Sequence, residues 1–239
     1  MSPAPRSLKV LHAALVECRR CPRLVEWRER VAREKRRAYR DETYWGRPVP
    51  GFGDPAAPLV LVGLAPAAHG GNRTGRTFTG DRSGDFLYAA LYRAGIASQP
   101  ESRRRDDGLT LRGAYITGPV RCAPPENKPT PAEIEACRSW LEGELALLRN
   151  ARVYMALGKT GYEAVVRISG ARAGTKVKAP AFGHGVVATL PDPRTGRGEV
   201  KLFASYHVSQ QNTQTGRLTA AMFDTVVEAA AREAGVSRA

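Results

Sequence analysis

The stretch from Leu59 to Leu91, LVLVGLAPAAHGGNRTGRTFTGDRSGDFLYAAL, constrains the fold more than any other part of the chain. It opens with the apolar run Leu59 to Val62, which has strand length. It closes with Phe86, Leu87, Ala89, Ala90 and Leu91 at helical spacing. Between them lie five glycines from Gly70 to Gly84, one histidine, three arginines and two aspartates. A buried strand feeding a polar, glycine-rich loop and then a helix is how an α/β sheet builds a ligand site at the C-terminal edge of its strands. Glycine lets the backbone of such a loop approach a ligand closely.

The rest of the chain alternates in the same way. Further strands are expected within Ala114–Val120, at Arg152–Leu157, at Val186–Leu190 and at Val200–Ser205. Helices are expected at Leu8–Glu17, from Pro22 through Val31, after Thr130, over Tyr162–Ile168, and at the C-terminus to about Glu233. Thr130, Pro131 and Glu133 form a capping box with proline in the first turn. Pro48 to Pro58 reads as an extended approach to the first strand, and Ser98 to Gly108, carrying Arg103, Arg104 and Arg105, as a polar loop. The alternation implies a mostly parallel sheet covered on both faces. At 239 residues and 42% hydrophobic content, the chain suits one domain spanning residues 1–239.

Lysine and arginine number 37 against 23 acidic residues, a formal charge of +14. That balance points to a polyanionic partner, nucleic acid first, against the competing reading of an arginine-rich solvated surface. No apolar run approaches membrane-spanning length and no signal peptide pattern precedes the first helix, so a cytoplasmic protein that meets no membrane is expected. Gly70 to Thr77 comes near a phosphate-binding P-loop. Arg76 stands where that motif requires lysine, however, and the strand does not feed Gly70 directly.

The four cysteines are Cys18 and Cys21, spaced C-x2-C, and Cys122 and Cys137, spaced C-x14-C. Without an export signal, disulfides are disfavoured, and thiolates converging from two distant segments fit a metal site. Structural zinc usually shows two tight knuckles, whereas an iron–sulfur cluster also takes four thiolates and accepts the wide spacing. Spacing alone leaves both open.

Taken in order, the N-terminal C-x2-C, the loop GLAPAAHGGNRTGRTFTGD, the segment CAPPENKPTPAEIEAC and the segment HVSQQNTQTGR resemble the family 5 (type B) iron–sulfur uracil-DNA glycosylases over nearly the whole chain. The resemblance implies a three-layer α/β/α sandwich around a four-stranded, mostly parallel sheet. It also implies a [4Fe–4S] cluster on Cys18, Cys21, Cys122 and Cys137 that ties on the N-terminal helical segment. The implied activity is hydrolytic release of uracil, and of other deaminated or damaged bases, from DNA by a monomer working in base-excision repair on nucleoid DNA. A non-enzymatic iron–sulfur or zinc-stabilised DNA-binding protein is the alternative.

Within the resemblance, Gly63, Leu64, Ala65, Ala68 and His69 fall in the first glycosylase motif. Leu64 and Ala65 occupy positions where many relatives carry Asp, Asn or Glu, so the water-handling group falls to Asp81, which also fits a helix N-cap. Phe78 matches the aromatic residue that stacks on the flipped base. Gly118 stands where family 4 reads uracil with asparagine, which suggests looser base choice, with Asn127 as a substitute reader. His207 matches the donor to the departing base. Gln211 and Asn212 suit the minor groove, and Arg73, Arg76 and Arg217 suit phosphates. No lysine lies in the first or last motif, so a Schiff-base lyase step has little support.

Overall fold

A computed structural model of the chain describes residues 6–236. Helices α1 (Leu8–Val16) and α2 (Pro22–Glu34) come first, followed by the short strand β1 (Phe52–Gly53) and then β2 (Leu59–Val62). The glycine-rich loop contains one helical turn, α3 (Gly71–Thr74), and leads into α4 (Arg82–Arg93). Next come β3 (Ala114–Thr117), α5 (Pro131–Leu147), β4 (Val153–Leu157), α6 (Lys159–Ala173), β5 (Val187–Pro191) and β6 (Glu199–Ser205). One turn, α7 (Gln210–Gln214), precedes the closing helix α8 (Ala220–Glu233).

The sheet has six strands in the order β1-β3-β2-β4-β6-β5. The inner four, β3-β2-β4-β6, are parallel, as the sequence implies. The count of four is corrected to six because each edge gains an antiparallel strand. β1 is too short to show periodicity. β5 alternates exposed and buried residues, as an edge strand with one wet face must.

Successive residues of β2 point to opposite faces. Leu59 and Leu61 pack with Leu87, Tyr88 and Leu91 of α4 and with Phe223, Val226 and Val227 of α8. Val60 and Val62 pack with Leu141 and Leu145 of α5 and with Tyr162, Val165 and Ile168 of α6. The result is a three-layer sandwich. β2 sends its chain to one face, while its neighbours β3 and β4 send theirs to the other. A crevice therefore opens at the C-terminal end of β2, the topological switch point where α/β sheets hold ligands.

Candidate active site

The crevice is narrow. Gly63, Leu64 and Ala65 follow β2 on one side; Thr117, Gly118 and Arg121 follow β3 on the other; Thr77 and Phe78 close it from the glycine-rich loop. Phe78 holds a left-handed backbone, φ 50°, that turns its ring inward. The ring lies so close to Gly63 that a Cβ there would stand 2.9 Å from two ring carbons. Glycine at 63 is thus what lets an aromatic wall sit directly over the strand end. His207, two residues beyond β6, brings its ring to 6.1 Å from that of Phe78, centroid to centroid. The structure therefore brings Phe78 and His207, separated widely in sequence, together as neighbouring rings, with Phe78 in the crevice lining and His207 behind it, outside that lining.

Burial pushes the His207 pKa down to about 4, so the imidazole is neutral near pH 7 and offers an N–H without carrying a charge. Its position is fixed from behind, where Asn212 Nδ2 donates to the His207 carbonyl at 2.8 Å. Asn212 is thus turned toward the protein, while Gln211 is exposed on α7. His184 contributes as well. The Tyr206 N–H donates to His184 Nδ1 at 3.3 Å, which makes that nitrogen the acceptor and fixes the peptide just before His207. Nothing in the sequence around His184 signals this role.

Asp81 is the N-cap of α4. Its Oδ1 accepts the Gly84 N–H at 2.9 Å. The other oxygen, Oδ2, presses against Gly70, where an added Cβ would stand 1.7 Å away. One oxygen holds the helix and the other faces the first motif, so capping and a role at the site are compatible. Burial raises the Asp81 pKa against the pull of the Gly84 and Ser83 N–H groups.

The arginines of the loop lie elsewhere than the sequence suggests. Arg73 is buried. Its guanidinium donates to the His69 carbonyl at 2.8 Å and to the Gly80 carbonyl at 2.7 Å, pairs with Glu42, and lies over the Tyr39 ring. Arg76 is buried too, donating to Thr79, Ser102 and Asp107 at 2.7–2.9 Å and to the Arg105 carbonyl at 3.3 Å. Both arginines are turned inward, where they stitch the loop, and in this arrangement neither faces a phosphate. Residue type gave their charge; direction comes only from packing. Arg217 is exposed, with its guanidinium over the Tyr206 ring at 4.7 Å.

His69 hydrogen-bonds Tyr44 through Nδ1 at 3.0 Å and stands outside the crevice lining, as does Ala68, whose carbonyl accepts from Asn72. Asn127 sits exposed on a turn with φ 57°, also outside the lining. A Cβ at Gly118 would meet the Leu64 carbonyl at 3.3 Å, so the crevice is built to the width of glycine there. A separate groove of about 980 Å³ runs along α6 and residues 174–182 and holds none of these groups.

The four cysteines line a second cavity with Leu15, Leu24, Val25, Pro48, Val120, Trp140 and Arg121. Arg28 Nη1 donates to Cys122 Sγ at 2.9 Å. Among the described residues, no three His, Cys, Asp or Glu side chains converge closely enough for a single ion. Buried donors near these cysteines also lack partners: Trp140 Nε1, Arg121 Nε and Arg28 Nε. A cavity lined by four cysteine sulfurs and unspent N–H groups fits an anionic, sulfide-bearing group. Burial pushes the Cys122 and Cys137 thiols up to about 11 and about 12, values a bound metal would reverse.

A buried ion pair joins the two cavities. Arg121 lines both of them. Glu144 of α5 accepts from Arg121 at 2.5 Å and 3.2 Å, from Thr117 at 2.5 Å, from His12 at 2.8 Å, from the Gly51 N–H at 3.0 Å and from Tyr115 at 3.2 Å. Burial works to raise its pKa, but Arg121 and His12 prevail and hold the carboxyl well below the usual range. The sequence carries a signal for this residue: Glu144 shares the buried face of α5 with Cys137, Leu141 and Leu145.

With the geometry in place, comparison with known proteins is specific. Residues 50–231 match the Uracil DNA glycosylase superfamily. A type-5 uracil-DNA glycosylase of Thermus thermophilus is 56% identical over 222 residues, covering 93% of this chain and 96% of the relative. One of Mycobacterium leprae is 52% identical over 231 residues, covering 96% and 97%. A type-4 uracil-DNA glycosylase of Pyrobaculum aerophilum is 31% identical over 167 residues, covering 70% and 68%. A crevice at the switch point, four gathered cysteines and this degree of likeness agree: the chain belongs to the type-5 uracil-DNA glycosylase family.

Proposed function

We infer that the chain excises uracil from DNA by hydrolysing the N-glycosidic bond, leaving an abasic site. The observation that carries the reading is the meeting of His207 with Phe78 of the crevice wall, rings 6.1 Å apart, in a chain of this family. A base must leave the duplex before its glycosidic bond can be cut. The flipped base enters between the Gly63–Ala65 backbone and Gly118, with Phe78 as its stacking face. It departs as an anion with charge on its carbonyl oxygens. Neutral His207 donates an N–H to that oxygen, in the manner of an oxyanion hole. The sugar becomes cationic, and the Asp81 carboxylate stabilises it and orients the attacking water.

The finer features belong to the same proposal. The glycine at 118 leaves no side-chain amide to restrict base identity there, which supports release of other deaminated bases. Arg217 and Gln211, both exposed, suit contact with DNA, and Asn127, exposed on the β3–α5 loop outside the crevice lining, remains the candidate reader of the base. Cys18, Cys21, Cys122 and Cys137 would hold a [4Fe–4S] cluster, which when bound cross-links α2, α5 and the β3–α5 loop. Among the described residues, no helix is long and apolar enough to cross a membrane. A monomer acting on nucleoid DNA in the cytoplasm is consistent with that.

Labelled duplexes carrying uracil, hypoxanthine or no lesion test the activity. Uracil release followed by alkaline strand cleavage is expected; DNA binding without base release would contradict it. Iron and acid-labile sulfide at about four each per chain are expected for the cluster. Stoichiometric zinc without sulfide would contradict that part alone.

A further inference from the structure

Arg73 and Arg76 are spent inside the protein, so the phosphates of a strand entering the crevice need other cations. Three consecutive arginines, Arg103, Arg104 and Arg105, are exposed on the loop between α4 and β3. This loop is pinned to the active-site loop immediately after Phe78. The Gly80 N–H donates to the Ser102 carbonyl at 2.7 Å, and the Thr79 and Ser102 hydroxyls are 2.7 Å apart. Buried Arg76 reaches across to Ser102, Asp107 and the Arg105 carbonyl. Asp107 Oδ2 in turn accepts the backbone N–H groups of Arg103 at 2.8 Å and Arg104 at 3.1 Å. The backbone of the arginine run is therefore fixed while its side chains project.

The side chains have only loose partners. Arg103 pairs with Glu101 at 3.0 Å and Arg104 with Asp106 at 3.8 Å, and the side chains of both pairs are 60–84% exposed. Exposed pairs of this kind hold their members weakly. The Arg105 guanidinium lies over the Trp45 ring at 4.6 Å while the residue stays exposed. Gly80, two residues past Phe78, is bonded directly to this loop, so a strand whose base stacks on Phe78 passes near the arginine run. Arginine suits that position, because its planar fork matches phosphate oxygens.

We propose that Arg103, Arg104 and Arg105 form a clamp for the backbone phosphates of the strand that carries the target base, held in place by Arg76 and Asp107. The proposal rests on the DNA-glycosylase reading. It reassigns the phosphate role from the two buried arginines to a loop that neither motif nor family likeness marks.

The test is the salt dependence of binding to a uracil-containing duplex, measured for the full chain and for the triple variant R103Q/R104Q/R105Q. Each lost phosphate contact should reduce the log–log slope by about 0.9, so a total reduction of about 2–3 is expected. Uracil release by the parent protein tests the glycosylase reading by itself: its absence would sink that reading, whereas release by the parent with a parent-like slope in the Gln variant would sink only the clamp. R103K/R104K/R105K keeps the charge and should keep most of the slope, which guards against a folding artefact. R138Q/R167Q/R172Q removes the same charge from α5 and α6 and should leave the slope unchanged. A parent-like slope in the Gln variant, or an equal drop in the α5–α6 variant, would overturn the proposal.

Discussion

The two cavities lie side by side and share Arg121, yet they are built on opposite principles. The crevice at the end of β2 is made of absences. Glycines at 63, 70 and 118 clear space for Phe78, Asp81 and a base, and its groups come from two loops, Phe78 and Asp81 from the β2–α4 loop and His207 from the segment after β6. The cysteine cavity is made of concentrated chemistry, with four thiols, an arginine on one sulfur and unspent donors around them. A site that must admit and release a substrate keeps its walls thin and its groups poised. A site that must grip a group permanently saturates its surroundings. The Arg121–Glu144 pair is the common wall, so damage there should reach both cavities, while damage to either lining should stay local.

That contrast can be broken first at the wall. Glu144→Gln leaves Arg121 buried beside an uncharged partner, and loss of one member of a buried pair costs about 3–5 kcal/mol. Denaturant unfolding should show that loss, together with reduced retention of bound iron. A cost below about 1 kcal/mol would mean that the network is not the shared support described above.

The next effect should be confined to the crevice. Gly70→Ala places a methyl group where Asp81 Oδ2 now sits. The carboxylate must move, and misplacement of a reacting group by about 1 Å can cost about 10²-fold in rate. Single-turnover release should fall to the level of Asp81→Asn, with iron content unchanged. If Gly70→Ala cleaves at the parent rate, Asp81 acts only as the helix cap.

The smallest effect concerns pH. Burial pushes His207 down to about 4, below its unfolded value near 6.5. Between these values the unfolded chain binds a proton that the folded chain refuses. This contribution is therefore complete above about pH 6.5 and is lost as pH falls toward 4. Thermal unfolding should show a shallower acid decline in His207→Gln than in the parent. Identical acid limbs would contradict the buried, neutral imidazole.

Much of the crevice was legible in the sequence, because a strand, a glycine-rich loop and a helix N-cap leave signatures in residue order. The parallel core and the capping box at Thr130 followed from patterns of that kind, whereas Phe78 and His207 were singled out only by the family resemblance. What the sequence withheld was direction. Arg73 and Arg76 look like surface cations in a polar loop, and only packing against Glu42 and Asp107 shows them to be internal. Glu144 lay on an apolar helix face where its burial could have been foreseen; its partners, spread from His12 to Arg121, could not. β1 has too few residues for any periodicity, and the register that adds it to β3 is a tertiary fact.

The central claim is that His207 and Asp81 serve the chemical step across one crevice, and single-turnover uracil release measured beside equilibrium binding to abasic DNA tests it most directly. His207→Ala should lower the rate by about 10²–10³, the range for loss of one oxyanion donor, and Asp81→Asn should also slow it, with affinity for abasic DNA nearly intact in both. Parent-like cleavage by both variants, or loss of binding without loss of rate at saturation, would contradict the assignment.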